Sequence, residues 1–193
     1  MQIEYEAKFL NIKRFAIRKA LKAIGAKLVR SEFVQKRIAF KIPGIKANNL
    51  YLRVRDEGDK ITVSLKSANE GKIKGQKEIQ ITVNDFLMAV QLLKSLGCKE
   101  KAYQETKREL WKIDSVEVTI DEWPYLEPFT EIEGKNELSV KQIAQKLGFN
   151  YKDAIFGAVD TLYNKKYGVS KDIINNHTPR ITFDSPNPFL KKA

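Results

Sequence analysis

The feature that most constrains this chain is the alternation of polar and apolar side chains in a series of short stretches. In residues 3–9 the odd-numbered positions are apolar, whereas Glu4, Glu6 and Lys8 occupy the other side. A period of two places successive side chains on opposite faces of a β-strand. The same pattern predicts strands at 34–42, 50–55, 60–66, 77–83, 102–113, 116–121 and 128–133. The chain is therefore expected to contain about eight strands.

Helical periodicity of apolar residues separates or follows these strands. It predicts helices over 11–24, 84–96, 139–148 and 150–168, with Asn11, Asn84 and Asn150 as N-caps and Ser139 and Gln142 as a capping box. The tail beyond residue 168 is expected to be irregular and partly packed. A length of 193 residues suits a single α+β domain, residues 1–193, with the C-terminal helices and tail, 139–193, packed on it.

The polar faces of the predicted strands carry charges of one sign in groups. Carboxylates concentrate on the first and last strands, whereas Arg and Lys concentrate on the middle ones. The acidic members are Glu4, Glu6, Glu117, Asp121, Glu131 and Glu133, and the basic members are Arg37, Lys41, Arg53, Arg55 and Lys66. An ordinary half-exposed sheet mixes both signs. Eight antiparallel strands can close into a barrel, which would bring the acidic and basic strands around one lumen.

Such a lumen has the chemistry of a site for metal-bound polyphosphate. Carboxylate oxygens bind hard divalent cations such as Mg²⁺ or Mn²⁺, and guanidinium groups bind phosphate oxygens through paired hydrogen bonds. The chain has 35 Lys and Arg against 24 Asp and Glu, a formal net charge of +11, which also favours a polyanionic partner. Without a ligand, this many buried charges of like sign would repel one another.

Composition argues against several other kinds of site. A single cysteine, Cys98, excludes an internal disulfide and a cysteine-based zinc site. A single histidine, His177, argues against a histidine-rich metal centre or a Ser-His-Asp triad. No apolar run approaches the ~18 residues of a membrane span, and the N-terminus lacks the basic and apolar segments of a signal peptide. We therefore expect a cytoplasmic protein with no membrane partner.

The charged positions also form an ordered set of motifs. The chain reads E-Y-E-A-K at 4–8, L-R-V-R at 52–55, S-L-K at 64–66, K-E-I-Q at 77–80, T-K-R-E-L-W at 106–111, I-D-E-W-P at 120–124 and F-T-E-I-E-G at 129–134. In this order the motifs resemble the signatures of the CYTH superfamily, also called triphosphate tunnel metalloenzymes, over roughly residues 1–165. That superfamily includes class IV adenylyl cyclases, thiamine triphosphatases and inorganic triphosphatases. Where its members usually read R-x-E-x-E, this chain has Lys77, Glu78 and Gln80, one carboxylate fewer.

The resemblance implies a closed eight-stranded antiparallel barrel, the triphosphate tunnel, with helices packed outside it. It implies Mg²⁺ or Mn²⁺ held by acidic residues, and the candidates are Glu4, Glu6, Glu78, Asp121, Glu131 and Glu133. It implies triphosphate bound by basic residues, and the candidates are Lys8, Arg37, Arg53, Arg55, Lys66, Lys107 and Arg108. The candidate catalytic residues are Lys8, Glu4 and Glu6. Lys8 would act as a phosphate ligand or, if nearby cations lower its pKa, as a general base.

Alternation leaves some of these positions with two interpretations. Lys107 and Arg108 are adjacent, so only one of them can face the lumen unless a bulge intervenes. The motif favours Arg108, whereas alternation cannot choose. For Arg37 and for Lys41, a position in the lumen and a position on the exterior are equally compatible with the sequence.

Two further pairs of residues have a functional and a simpler interpretation. Lys72 and Lys74 lie in a glycine-containing segment, 67–76, which we expect to be a flexible basic loop. They would either close over bound phosphate or be solvated. Trp111 and Trp123 could stack on a base or a thiamine ring, but packing in the core or at the rim explains them more simply.

The predicted activity is metal-dependent hydrolysis of a triphosphate compound, namely inorganic triphosphate, thiamine triphosphate or a nucleotide such as ATP. The alternative within the superfamily is a class IV adenylyl cyclase, which converts ATP to cyclic AMP and pyrophosphate. A hypothesis from another class is a non-catalytic polyanion-binding module. The interleaved carboxylates argue against nucleic acid as a partner, since they would repel a phosphate backbone. The sequence is compatible with a monomer or a homodimer.

Overall fold

The computed structural model describes residues 1–45, 50–68, 73 and 76–190, so Lys72 and Lys74 lie outside the described residues. In that part of the chain the strands are β1 (Gln2–Phe9), β2 (Lys27–Lys41), β3 (Leu50–Asp56), β4 (Ile61–Ala68), β5 (Gln76–Val83), β6 (Lys99–Ile113), β7 (Val116–Glu122), β8 (Phe129–Gly134) and β9 (Arg180–Ile181). The eight predicted strands are confirmed. β2 begins seven residues earlier than alternation predicts, at Lys27 instead of Val34.

The strands form one sheet in the order β2–β3–β4–β5–β1–β8–β7–β6, and β6 pairs back with β2 to close it. These eight strands are antiparallel to their neighbours, so the predicted closed eight-stranded barrel is confirmed. The short β9 pairs in parallel with β6 on the barrel wall. Closure leaves no unpaired barrel edge, and irregularities in the long β2–β6 pairing help the two strands to bend around it.

The helices are α1 (Arg14–Ala23), α2 (Phe86–Ser95), α3 (Glu137–Lys146), α4 (Asp160–Tyr167) and α5 (Lys171–Asn176), with a 3-10 turn at Tyr151–Asp153. The N-cap of α2 is Asp85, not Asn84, and that of α3 is Asn136, not Ser139. The adjacent Asn84 and Asp85 are equally good N-cap residues, so local sequence does not select between them. In α3, Ser139 is instead the residue whose backbone N–H donates to Asn136. The N-cap of α1 is Lys13, not Asn11, and it forms no side-chain cap. No helix formed by the described residues is long and apolar enough to cross a membrane.

The barrel is polar inside and apolar outside, so the hydrophobic cores lie between its outer surface and the helices. Leu21 of α1 and Ile132 of β8 are fully buried in the core that α1 and α3 form over β1, β7 and β8. On the other side, Leu93 of α2 packs with Phe40 and Val54 of β2 and β3. Burying each such side chain stabilises the fold by about 1.5–3 kcal/mol. The outer face therefore supplies the stability that allows the interior to hold charges.

The prediction of one helix from Asn150 to Gly168 is wrong. After the 3-10 turn, Ile155 forms a β-bridge with Lys8 of β1, with backbone N–O distances of 3.0 and 2.9 Å. Gly157 then has a φ of +112°, which other residues rarely adopt. Pairing with β1 outweighs the local helical periodicity, and the chain becomes helical again only in α4.

The tail is more ordered than predicted and packs against the barrel. Tyr163 of α4 and Phe189 of the tail form an apolar cluster with Trp123 and Phe129. The hydroxyl of Tyr163 donates to the carbonyl oxygen of Pro124 at 2.8 Å. The C-terminal segment is thereby fixed against strands β7 and β8, which carry part of the polar interior.

Candidate active site

The inward-facing side chains of the barrel enclose a cavity of about 1020 Å³. All eight barrel strands contribute to its lining, and residues 157–160 and α5 complete it. Its charged lining residues are Glu4, Glu6, Lys8, Arg37, Arg53, Arg55, Glu57, Lys60, Lys66, Glu78, Lys101, Arg108, Glu117, Asp121, Glu131, Glu133, Asp160, Lys171 and Asp172. Every residue that the sequence assigned to metal or substrate lies in this cavity, with the exception of Lys107.

An acidic cluster forms where β1 and β8 pair. The strands are antiparallel, with Glu6 opposite Glu133 and Lys8 opposite Glu131. Because each E-x-E motif places both carboxylates on one face, pairing brings the two motifs together. Carboxylate oxygens of Glu6, Glu131 and Glu133 lie within 4.8 Å of one another.

The carboxyls of this cluster have unequal acidities. Burial, together with the charge of Glu131, raises the pKa of Glu6. Burial and the charges of Glu131 and Glu6 raise the pKa of Glu133 to about 7. Burial also opposes ionisation of Glu131, but the cations Lys8 and Arg108 lower its pKa to about 2. Burial and mutual repulsion therefore make it unfavourable for all three carboxyls to be ionised at once without an added cation.

The acidic cluster has the donor set of a hard divalent cation. Three carboxylates supply oxygen ligands only, which is typical of Mg²⁺ and Mn²⁺ and not of zinc. The raised pKa of Glu133 indicates that an added positive charge would be favourable there. Of the other predicted metal ligands, Glu4, Glu78 and Asp121 line the same cavity but are not members of this cluster.

Lys8 lies at the centre of the acidic side, and its residue surface is 3% exposed. Its Nζ lies 2.5 Å from Oε1 of Glu6 and 2.9 Å from Oε2 of Glu131, and it donates to the carbonyl oxygen of Gly157 at 2.8 Å. Burial alone would lower the pKa of Lys8, but Glu131 and Glu6 raise it above its ordinary value. These contacts favour a charged phosphate ligand over a general base.

A second acidic pair, Glu4 and Glu78, lies beside the basic strands. Nζ of Lys66 is 3.0 Å from Glu4 and 3.3 Å from Glu78, and Nη2 of Arg53 is 3.0 Å from Glu78. Burial and a hydrogen bond with Glu78 raise the pKa of Glu4 to about 8. Burial opposes ionisation of Glu78 too, but that hydrogen bond and the cations Lys66 and Arg53 lower its pKa overall.

The basic side of the cavity is formed by arginines of β2 and β3. Arg37 lies directly opposite Arg55, and Arg53 is the next inward-facing residue of β3. Burial and the neighbouring arginines lower the pKa of Arg37 well below its usual range, and the same two causes lower that of Arg55 to about 9. The Nε atoms of Arg37, Arg53 and Arg55 are buried without a hydrogen-bond partner among the described residues. A polyanion would supply both the missing charge and the missing acceptors.

The choice between Lys107 and Arg108 is made by the direction of their side chains. Arg108 lines the cavity and forms two hydrogen bonds of 2.7 Å with Asp121, and its Nη2 is 3.2 Å from Glu131. Lys107 points outside, with its ammonium 4.8 Å from the ring centre of Phe183. We therefore do not retain Lys107 as a substrate ligand.

The other open positions are also resolved by the structure. Trp111 is buried in the core between barrel and helices, whereas Trp123 lines the cavity with the guanidinium carbon of Arg37 4.6 Å from its ring centre. Lys41 is exposed and does not line the cavity. His177 is exposed, and Cys98 is buried.

Sequence reasoning missed several polar residues of the cavity. Gln35, Gln76 and Glu57 are buried in its lining, and Gln76 donates to Glu6. Gln35 was visible as a polar residue on the same strand face as Arg37, but its neutral amide gave no sign of a role. Glu57 lies in the short connection between the predicted strands 50–55 and 60–66, where a carboxylate is usually solvated. The contribution of 157–160 and α5 had no signal in the charge pattern.

Comparison with known proteins gives matches over most of the chain. The CYTH domain family matches residues 2–158. The protein named "Putative adenylate cyclase MJ0240" from Methanocaldococcus jannaschii is 32% identical over 136 residues, which are 68% of this chain and 76% of that protein.

Solved structures give the same fold at lower identity. One is described as a putative adenylate cyclase from Vibrio parahaemolyticus, with a TM-score of 0.73 and 13% identity over 83% of this chain and 97% of that one. Another is a putative adenylyl cyclase from Hippeastrum, described as revealing a dominant triphosphatase activity. Its TM-score is 0.54 at 14% identity, with coverage of 88% of this chain and 97% of that one.

Proposed function

Because this chain belongs to the CYTH domain family, we propose that it is a divalent-metal-dependent enzyme that hydrolyses a triphosphate compound inside the barrel. Candidate substrates are inorganic triphosphate, thiamine triphosphate and a nucleoside triphosphate. The proposed metal is Mg²⁺ or Mn²⁺.

The observation that carries this proposal is the division of one cavity into an acidic and a basic side. The acidic cluster of Glu6, Glu131 and Glu133 offers oxygen ligands, and the arginines of β2 and β3 leave buried N–H donors unpaired. A simple anion would satisfy only the basic side, and a metal ion would satisfy only the acidic side. A metal-bound polyphosphate satisfies both sides at once.

To bind the phosphate chain, the basic residues would exchange their carboxylate partners for phosphate oxygens. Arg53, Lys66 and Arg108 are already held by carboxylates at 2.7–3.3 Å, so they are oriented before substrate enters. Phosphoryl transfer depends mainly on positioning and on neutralising the oxygens that gain charge. Lys8 and Arg108 both contact Glu131, and we assign them to the phosphoryl group nearest the acidic cluster.

A divalent ion held by Glu6, Glu131 and Glu133 would supply Lewis-acid polarisation of phosphate oxygens. The chain itself would keep Lys8 charged and aligned through Glu6, Glu131 and the carbonyl of Gly157. In hydrolysis, water attacks the terminal phosphorus and the bond to the bridging oxygen breaks. Arg108, fixed by its two bonds to Asp121, would hold the terminal group in line for that attack.

The second candidate is cyclisation of ATP, which the name of the Methanocaldococcus jannaschii relative supports. In that reaction the ribose 3′-hydroxyl attacks the α-phosphorus, and pyrophosphate leaves. The same cations and the same acidic cluster would serve, so the two reactions differ in which phosphorus is attacked.

A panel of substrates tests the proposal. Purified protein is incubated with Mg²⁺ or Mn²⁺ and with ATP, thiamine triphosphate or inorganic triphosphate, while orthophosphate, pyrophosphate and cyclic AMP are measured, with EDTA as control. Metal-dependent release of orthophosphate supports hydrolysis and identifies the substrate. Pyrophosphate together with cyclic AMP supports the cyclase. Absence of all three products with every substrate contradicts an enzyme of either kind.

A further inference from the structure

The hairpin between β3 and β4 places one carboxylate, that of Glu57, inside the cavity. Glu57 follows the last residue of β3, and its backbone N–H donates to the carbonyl oxygen of Lys60 at 2.9 Å. Gly58 makes the turn with a φ of +88°. The Glu57 side chain is 7% exposed, so the turn holds a buried carboxylate on the basic side of the cavity.

Glu57 contacts the basic side at one oxygen. Its Oε1 forms an ion pair with Nη2 of Arg55 at 2.7 Å and accepts a hydrogen bond from Nε2 of Gln35 at 3.1 Å. Its Oε2 is 3.3 Å from the exposed ammonium of Lys60. A buried carboxylate with a fixed backbone, an ion pair with Arg55 and a hydrogen bond from Gln35 has little freedom to move.

Gln35 links Glu57 to a second arginine, Arg37. Its residue surface is 1% exposed, and its Oε1 accepts from Nη2 of Arg37 at 2.8 Å and from the hydroxyl of Thr106 at 3.1 Å. The same hydroxyl accepts from Nη2 of Arg37 at 2.6 Å. Because the amide NH₂ of Gln35 faces the carboxylate of Glu57, its carbonyl must face Arg37. The acceptor of each donor in this network is therefore determined.

The two arginines that the network holds lie directly opposite each other on β2 and β3. Guanidinium groups facing each other in this way would repel and separate without an anion between them. The network prevents this and leaves Nε of both Arg37 and Arg55 buried and unpaired.

We propose that Glu57 is a positioning residue for phosphate binding, which holds Arg55 directly and Arg37 through Gln35. This inference rests on the proposed function, since the ligand that the arginines receive is the triphosphate. Glu57 itself would touch neither the metal nor the substrate.

The direction in which Glu57→Gln changes the dissociation constant distinguishes a positioning role of Glu57 from a purely electrostatic one. If Glu57 acted only through its charge, removing that charge would strengthen the binding of a polyanion. If it positions the arginines, Glu57→Gln weakens binding, because a neutral side chain holds a guanidinium less firmly. The two explanations therefore predict opposite changes in the dissociation constant.

The experiment is calorimetric titration of inorganic triphosphate with Mg²⁺ into the wild type and three variants. We expect Glu57→Gln to bind about tenfold more weakly, and Gln35→Met to bind several-fold more weakly because only Arg37 is released. The matched control is Asp59→Asn, which removes the same charge from the same hairpin. Asp59 is exposed and pairs with Arg30 at 2.6 Å, so this variant should bind within about twofold of the wild type. Where turnover is measurable, KM should rise in Glu57→Gln while kcat changes little.

A second measurement needs no ligand. In ¹⁵N spectra of the free protein, the Nε–H signals of Arg37 and Arg55 should be protected from exchange in the wild type and in Asp59→Asn. Both signals should lose protection in Glu57→Gln, and Arg37 alone should lose it in Gln35→Met. If Glu57→Gln does not fold, as judged by circular dichroism, Gln35→Met carries the test.

Two outcomes overturn the inference. One is wild-type binding of triphosphate together with equal or tighter binding by Glu57→Gln, which leaves the proposed function intact. The other is unchanged arginine protection in the variants. A wild type that binds no triphosphate contradicts the proposed function instead, and the spectra then decide whether Glu57 orders the arginines.

Discussion

Lys8 of β1 and Glu131 of β8 lie directly opposite each other in the barrel wall, with Nζ and Oε2 2.9 Å apart. Glu131 is also 3.2 Å from Arg108 and belongs to the acidic cluster. One carboxylate thus joins the proposed metal ligands to two proposed phosphate ligands. Its removal should affect catalysis more than any other single change in the cavity.

We predict that Glu131→Gln lowers turnover by at least about a hundredfold, because one preorganised charge of the site is lost. The amide retains the shape of the side chain, so the free energy of unfolding should fall by only about 1–3 kcal/mol. Phosphate release and thermal unfolding measure the two effects. Glu100→Gln, an exposed residue of β6 paired with Lys94, is the control and should keep full activity. Full activity in Glu131→Gln would refute the metal assignment.

The adjacent residues Lys107 and Arg108 provide an internal control. Arg108→Ala should raise KM for the triphosphate by about tenfold or more, since it removes a guanidinium from the cavity. Lys107→Ala should change KM by less than about twofold, because its ammonium lies outside the barrel over Phe183. Steady-state kinetics of the two variants would decide, and equal effects would contradict the assigned orientations.

Arg53→Ala should weaken substrate binding more than it slows the chemical step. Arg53 is buried and is held by Glu78 at 3.0 Å, beside Lys66. Losing one charge-assisted contact costs about 1.5–3 kcal/mol, which corresponds to roughly 10- to 150-fold in KM. Arg180→Ala, at the exposed position of β9, removes the same side chain outside the cavity and serves as control. A KM equal to that of the wild type would count against the phosphate role of Arg53.

The stability of the metal-free protein should depend on pH in a particular direction. Burial is the largest cause that raises the pKa of Glu4 to about 8 and that of Glu133 to about 7. A carboxyl with a higher pKa in the folded state than in the unfolded state stabilises the fold fully below the unfolded value of about 4.3. That contribution is lost as the pH rises through the folded values.

We therefore predict that the Tm measured in EDTA falls between about pH 5 and pH 8. Added Mn²⁺ should raise the Tm more at pH 8 than at pH 5, because protons compete with the metal at low pH. Glu133→Gln should flatten the profile in EDTA. A Tm that rises with pH across this interval in the wild type would contradict the assigned shifts.

Metal removal separates an enzyme from a polyanion-binding module. We expect triphosphate binding to weaken in EDTA, because the acidic cluster would then repel the phosphates, and to recover when Mg²⁺ is added in excess. A plain binder would tolerate EDTA and weaken steeply with salt. Titrations at two salt concentrations with and without EDTA distinguish these outcomes.

The barrel was predictable because its determinants are periodic. Alternation in β1 and β8 predicted which side of each strand faces inward. The family resemblance predicted metal ligands that included Glu4, Glu6, Glu131 and Glu133, and three of these four form the acidic cluster. The family resemblance then indicated which strands carry metal ligands and which carry phosphate ligands. What alternation could not decide was a choice between adjacent residues, as at Lys107 and Arg108, since a shift of one residue reverses the face.

The parts that failed depend on tertiary contacts with no local signal. Residues 154–159 have helical periodicity, but Ile155 pairs with Lys8 and Gly157 has a φ of +112°, so the helix does not form there. Gln35 and Glu57 belong to a network of contacts that joins β2, β3 and β6, and neither residue is unusual in its own strand or turn. Such contacts are visible only once strands distant in sequence have been placed side by side.

The bond between the ammonium of Lys8 and the carbonyl of Gly157 joins residues 149 positions apart. In addition, β1 lies between β5 and β8 in the sheet, so neither of its edges can pair until those later strands have been synthesised. Pairings between distant segments form slowly, because closing a long loop costs conformational entropy before any stabilising contact has formed. A nascent chain therefore contains Lys8 long before it contains Glu131 and Gly157, and it cannot orient the lysine until both have been synthesised. The proposed triphosphate site should therefore assemble late and all at once, together with barrel closure.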